Sequence, residues 1–376
     1  MCVCVGVFIV SAKRTPFGTY GGVLKDHSAT DLAEHAAKAA LAAGNVAPEL
    51  VNSVIVGNVM QSSADAPYIS RYMGLRCGVP VPVPALTVNR LCGSGFQSII
   101  NGAQEICLKE SEVVLCGGSE SMSQEPYAVR NIRFGTKFGV DLKLEDTLWA
   151  GLTDLNIKLP MGITAENLAE KYQISREDCD QYTYQTQQSH LLHVIPMSYP
   201  CHYTNLSHEA GYYNAEIAPI DVKAKKGKVS MTSDEHPRPQ TTLEQMAKLP
   251  NVFKKGGTVT AANASGVSDG AAAVVLASED TLKAHKLTPL ARIVAYHTSG
   301  CPVPAITEAL KKAGLSLKDM DLVEVNEAFA SQYLAVAKAL GLDPAKTNVN
   351  GGAIAIGHPL GASGTRITAH LVHELR

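Results

Sequence analysis

Apolar positions along the first 120 residues switch repeatedly between two periods. A β-branched run over 3–10 reads as a strand. "ATDLAEHAAKAALAAG" then carries Ala and Leu at helical spacing and ends on Gly44, where a C-terminal cap would sit. A short strand over 53–58, a helix near 67–76, a strand over 85–89, a helix opening at Cys92 and a strand over 112–121 follow. The order β-α-β-α-β-α-β predicts an α/β sheet with crossover helices.

The pattern recurs from about residue 290. "ARIVAY" reads as a strand, "PAITEALKKAG" as a helix ending in Ala-Gly, and "DLVEVNEAF" as a strand matching "SVIVGNVM". "TNVN" leads through "GGAIAIGHPLGASG" into the helix "TRITAHLVHEL", as "LTVN" leads through Cys92 into its own. The first copy then continues into a strand, whereas the second reaches Arg376 still in helical sequence. The expectation is two similar βαβαβ halves, 1–121 and 257–376, with the last strands of the second half missing and a sheet edge left unpaired. Between them, 122–256 reads as an inserted loop or lid domain. Its piece "SREDCDQYTYQTQQ" opens with the capping-box pair Ser175 and Asp178.

Composition narrows the chemistry. The 376 residues are 45% hydrophobic with a net charge of -2 and no long run of one sign, so no nucleic-acid partner is expected. The densest basic stretch, "KAKKGK" at 223–228, reads as a solvated turn between strands. Nine cysteines without CxxC spacing argue against a disulfide framework or zinc site and imply a reducing compartment. His190, His193, His202 and His208 lack ligand spacing, so no metal is expected. No apolar run approaches ~18 residues, so no integral membrane association is expected. The opening segment lacks a typical Arg-rich transit pattern, and no terminal Ser-Lys-Leu follows. GxGxxG, GxxxxGK[ST] and GxSxG are all absent.

Free cysteines usually only pack. Cys92 differs in context: Gly93 and Gly95 let backbone approach a ligand, and a helix N-terminus lowers a thiol pKa toward the nucleophilic thiolate. A nucleophile needs a base, and His358 stands at the equivalent point of the second copy. Two related loops from similar halves would meet near a pseudo-twofold axis. Asn326 in "NEAF" could donate to an oxyanion or hold a water, or simply cap a helix.

With "NRLCGSGFQSI", "GGSESMS", "NASGVSDGA", "VNEAFA" and "NGGAIAIGHPLGASG" in order, the chain resembles the thiolase family. The resemblance implies two α/β halves in αβαβα layers with a loop domain between, assembled as homodimers or homotetramers in the mitochondrial matrix. It implies an acyltransferase that cleaves 3-ketoacyl-CoA with CoA in fatty-acid β-oxidation, with no bound cofactor and coenzyme A as co-substrate. It makes Cys92 the acylated nucleophile, His358 its activator and a holder of the thioester oxygen, and Asn326 the residue orienting a water there. Arg238, Thr241 and Ser265 match CoA-contacting positions. A condensing enzyme is disfavoured by "NEAFA" and by the lack of a second matching histidine motif.

Three departures stand out. The family continues into a strand and a "CxG" segment whose cysteine moves protons, work typically worth roughly 10²- to 10⁴-fold. The stretch after Gln188 carries two prolines in place of a charged helix, and the Cys301–Pro302 junction lacks a Gly-rich loop. The expectation is a Cys92 that accepts acyl groups with thiolysis reduced, against the alternative of a non-catalytic CoA-thioester-binding or partner-binding protein.

Overall fold

The computed structural model describes residues 6–187, 204–224, 227–300 and 302–376. The stretch 188–203, with its prolines and His190, His193 and His202, and the junction at Cys301 lie outside the described residues.

The first half follows its apolar pattern, although the strand expected over 3–10 runs from Val7 to Arg14. In chain order it comprises β1 (Val7–Arg14), α1 (Ala29–Ala43), β2 (Ser53–Gly57), α2 (Ile69–Arg76), β3 (Ala85–Val88), α3 (Ser94–Leu108) and β4 (Val113–Ser121). Helix α1 starts at Ser28, whose side chain and Asp31 form a reciprocal capping box, and ends at Gly44. The inserted segment gives α4 (Thr147–Gly151), α5 (Met161–Tyr172), α6 (Arg176–Gln187) and the hairpin β5 (Ile220–Ala224) and β6 (Gly227–Met231). Ser175 and Asp178 cap α6 as expected. The basic "KAKKGK" stretch spans the ends of the hairpin strands. Beyond it lie β7 (Ser268–Ser278), β8 (Ala291–Arg292), α7 (Pro302–Ala313), α8 (Ala330–Leu340) and α9 (Ser363–Glu374). Among the described residues no helix is long and apolar enough to cross a membrane.

One sheet dominates, in the order β8-β1-β7-β4-β2-β3. β4, β2 and β3 run parallel, while β7 is antiparallel to both β1 and β4. Strand β7 falls in the stretch that the apolar pattern groups with the second half, yet its hydrogen-bonding partners are β1 and β4. Its sequence, "SDGAAAVVLAS", is buried along nearly its whole length, so it shows no alternation. Helices α1 and α2 cover one face of the sheet through Leu32, Ala36, Ile69 and Met73; α3 and α9 cover the other through Ile99, Ala103, Ala369 and Val372.

The second copy builds its strands differently from the pattern. "ARIVAY" yields only the two-residue β8, and "DLVEVNEAF" forms two isolated bridges, one parallel between Val323 and Thr347 and one antiparallel between Phe329 and Ala264. The cause is local. The Asn348 side chain takes the N–H of Val325 at 2.8 Å and donates to its carbonyl at 3.0 Å, occupying backbone groups that a neighbouring strand would pair.

Buried charge joins the segments. Arg14, fully buried on β1, pairs with Glu216 at 2.5 Å and Asp234 at 2.7 Å, and Glu216 in turn meets His370 of α9 at 2.8 Å. Losing one partner of such a cluster leaves an uncompensated charge, which costs several kcal/mol.

The halves also meet backbone to backbone. A Cβ on Gly118 of β4 would lie 2.0 Å from the Gly361 carbonyl oxygen, with no flexible side chain to give way. Gly118→Ala is therefore expected to lose at least about 1–3 kcal/mol in urea unfolding. Gly300→Ala, where nothing lies within 4 Å, should stay within about 0.5 kcal/mol of the parent. Equal losses would show that the contact is not tight.

Candidate active site

Cys92 sits in a tight turn just ahead of α3, one residue before the N-cap, Gly93. Leu91 adopts φ 49°, a left-handed conformation that a branched residue takes only when its surroundings hold it there. The hold is visible: Leu91 N–H donates to Asn89 Oδ1 at 3.0 Å, Gly93 N–H to Arg90 O at 3.0 Å, and Arg90 N–H to Ser94 Oγ at 2.8 Å. The half-buried thiol packs in an apolar cluster with Met60, Met122 and Leu360, joined by Leu148 and Leu152 of the inserted segment.

This corrects one expectation. Burial, aided by the charge of Glu120, pushes the Cys92 thiol up to about 11, so at rest it is a thiol and not a thiolate. Its position before the N-cap, inside an apolar cluster, lets desolvation outweigh the helix terminus.

His358 is placed by glycine packing. A Cβ on Gly95 would lie 2.5 Å from Thr365 N and 2.9 Å from Gly361 O, and one on Gly364 would lie 2.3 Å from Phe96 N. The N-termini of α3 and α9 therefore touch through backbone, as the repeat implied. Leu360, two residues past His358, reaches the Cys92 cluster.

The protonation pattern of His358 follows from its partners. The Ser363 hydroxyl donates to Pro359 O at 3.0 Å, so its oxygen takes the hydrogen of His358 Nδ1 at 2.6 Å. Nε2 then carries the lone pair and accepts from Asn326 Nδ2 at 3.4 Å. Burial, with the Arg366 charge adding to it, lowers the imidazole to about 4, so it is neutral. A neutral imidazole with Nε2 free of hydrogen is a general base.

Asn326 brings a second feature: its Oδ1 is buried and meets no hydrogen-bond partner among the described residues, as suits a site for an ordered water. Its loop is held by Glu327, wholly buried, which accepts from Tyr182 Oη at 2.5 Å, Asn348 Nδ2 at 3.0 Å and Ile354 N–H at 3.1 Å.

Of the three other expected residues, Ser265 contacts the loop of Asn326 directly. Ser265 ties to the same loop, its N–H and Oγ both donating to Ala328 O, at 3.0 and 2.8 Å. Arg238 is exposed and forms a turn with Thr241, whose N–H donates to Arg238 O at 3.1 Å. Two residues before Arg238 comes His236, whose ring covers Gly266, the residue that accepts the His358 N–H at 3.0 Å. Ser363, Glu120, Glu327 and His236 escape a reading by motif alone, though Ser363, Glu120 and Glu327 lie inside the strings that carry the resemblance. Among the described residues no group of three or more His, Cys, Asp or Glu could hold a metal ion.

The half-buried thiol, the neutral imidazole and the carboxamide thus sit on three neighbouring loops of a chain that is similar to known proteins along its whole length. The family model described as thiolase, N-terminal domain, matches residues 7–280, and that described as thiolase, C-terminal domain, matches 287–376. The chain belongs to the thiolase family. Mitochondrial 3-ketoacyl-CoA thiolases of Mus musculus and Homo sapiens are 69% and 67% identical to it, each over 100% of this chain and 93% of the relative. The crystal structure of human mitochondrial 3-ketoacyl-CoA thiolase superposes with a TM-score of 0.94 at 66% identity, covering 100% of this chain and 93% of that one. A second structure of that human protein is a complex with CoA. A Bacillus anthracis acetyl-CoA acetyltransferase superposes at 0.90 with 42% identity, over 98% of this chain and 92% of its own.

The lowered imidazole gives a pH prediction. The unfolded chain binds a proton at His358 near pH 6.5 but the folded chain only near 4, so this group's contribution is intact above 6.5 and lost as pH falls toward 4. The loss amounts to about 3 kcal/mol. Urea unfolding of His358→Gln between pH 7 and 4 should show an acid limb shallower than the parent's by about that amount. Parallel curves would contradict a buried neutral His358.

Proposed function

We propose that the chain is a thiolase-type acyltransferase that cleaves 3-ketoacyl-CoA with CoA, yielding acetyl-CoA and a shortened acyl-CoA. The observation that carries this is the Ser363–His358–Asn326 chain of contacts, which leaves Nε2 as the hydrogen-accepting nitrogen in a loop docked against the Cys92 turn.

Cys92 Sγ attacks the 3-keto carbon while its proton passes to His358 Nε2. The imidazolium so formed, together with a water held by Asn326, faces the oxygen that takes up negative charge. The C2–C3 bond breaks, the acetyl-CoA enolate leaves and takes at C2 the proton held on His358, and the acyl group stays on Sγ as a thioester. The thiol of a second CoA then gives its proton to His358 Nε2 and attacks that thioester, and Cys92 leaves as the thiol by taking the proton back from His358.

Several features support the details. The apolar side chains around Sγ suit an acyl chain, and two of them, Leu148 and Leu152, come from the 122–256 segment, in keeping with a lid. Arg238, Thr241 and Ser265 would contact CoA at the mouth. Self-association into homodimers or homotetramers has a ready surface in edge strand β3, where Leu86 is 45% exposed beside Leu91 at 48% and Phe96 at 38%. Mitochondrial relatives at 67–69% identity support a place in the mitochondrial matrix and in fatty-acid β-oxidation.

Incubation with an acyl-CoA followed by intact-mass measurement should show one acyl adduct that disappears in Cys92→Ala. Adding CoA should discharge it. Binding of the thioester without any adduct would overturn the catalytic reading and leave a CoA-thioester-binding protein.

A further inference from the structure

Glu120, near the end of β4, is wholly buried and has an unusual set of partners; burial pushes its carboxyl up to about 8, against the pull of the backbone N–H groups that it accepts from. Oε1 accepts from Met60 N–H at 2.9 Å and Asn58 Nδ2 at 3.0 Å, and Oε2 from Gly361 N–H at 2.9 Å and Val59 N–H at 3.1 Å. All four are N–H donors and none is a cation. Both oxygens are thus used as acceptors, an arrangement that a carboxylate satisfies and that an amide or a protonated acid would break by turning a hydrogen toward an N–H.

The origin of the donors gives the carboxylate its role. Asn58, Val59 and Met60 follow β2 in the first half, while Gly361 belongs to the His358 loop. The same segments surround the thiol, since Val59, Met60 and Leu360 all pack in the Cys92 cluster. Backbone contact leaves the loop no alternative seat: a Cβ on Gly361 would lie 2.6 Å from Gly57 O and 2.7 Å from Ser119 O. Glu120 therefore supplies a directional link at the one place where the two loops that carry thiol and base come together, and its charge acts on Sγ.

We propose that Glu120 is a positioning residue for acyl transfer: ionised, it fastens the His358 loop to the Cys92 half and keeps negative charge off Sγ until the acyl carbon is in place. This rests on the acyl-transfer reading of the site. It does not touch substrate in this role and acts through Cys92 and the loop.

The test pairs Glu120→Gln, which removes the charge, with Glu120→Asp, which keeps the charge on a shorter arm. The first readout is iodoacetamide capture of Cys92 at pH 9, where the Glu120 carboxyl is ionised; it follows the thiolate fraction and needs no turnover. It is measured on protein shown to be folded by circular dichroism. Removing a like charge near the thiol should raise capture about three- to tenfold in Glu120→Gln and leave Glu120→Asp near the parent. The second readout is thiolysis: both variants should lose about tenfold or more in kcat with KM for the CoA thioester little changed. Parent-like capture in folded Glu120→Gln would overturn the electrostatic half, and parent-like kcat in Glu120→Asp would overturn the geometric half. Should Glu120→Gln fail to fold, the kcat of Glu120→Asp decides. Should the parent chain turn over no thioester, the capture rates still decide, so failure of the acyl-transfer reading is told apart from failure of this one.

Discussion

Backbone pressed against backbone sets the position of everything at the centre of this protein. Gly118 faces the Gly361 carbonyl, Gly95 faces Thr365 N and Gly364 faces Phe96 N, in each case with no room for a Cβ. These contacts pin the N-termini of α3 and α9 together. Cys92 precedes one and His358 the other, so two residues remote in sequence sit on loops that touch. Glu120 and Glu327 then lock the flanking loops through N–H donors, and the buried Arg14–Glu216–His370 cluster ties β1, the inserted segment and α9 into the same unit.

Burial decides the electrostatics of the pair. It raises the thiol to about 11 and lowers the imidazole to about 4, so each partner rests in its neutral form. In the proposed reaction the nucleophile is then made during attack, by proton transfer to a base whose tautomer Ser363 has already chosen. A resting thiol in an apolar pocket is also poorly reactive toward stray electrophiles, since the thiolate is the reactive form.

Much of this is legible in sequence, and the exceptions have physical reasons. The crossover order of the first half, the cap at Ser28, the capping box at Ser175 and the meeting of the Cys92 and His358 loops all follow from periodicity, cap chemistry and the internal repeat. Strand β7 escapes because Ala and Gly buried on both faces give no alternation. The strand expected over 321–329 is replaced by the side chain of Asn348, a polar competition that periodicity does not record. The thiol pKa runs opposite to expectation because a helix terminus acts over one turn, while desolvation depends on Met60, Leu148 and Leu360 from three other segments. Ser363 and Glu120 act only through tertiary contacts.

The account stands or falls on whether glycine docking sets the separation of thiol and base. The most direct measurement is the single-turnover rate of Cys92 acylation by a 3-ketoacyl-CoA in Gly364→Ala, whose added Cβ would meet Phe96 N at 2.3 Å. A misplacement of about 1 Å can cost roughly 10²-fold, and a loss of that order in a folded variant that still binds CoA is the predicted result. Acylation at the parent's rate in that folded variant would contradict it.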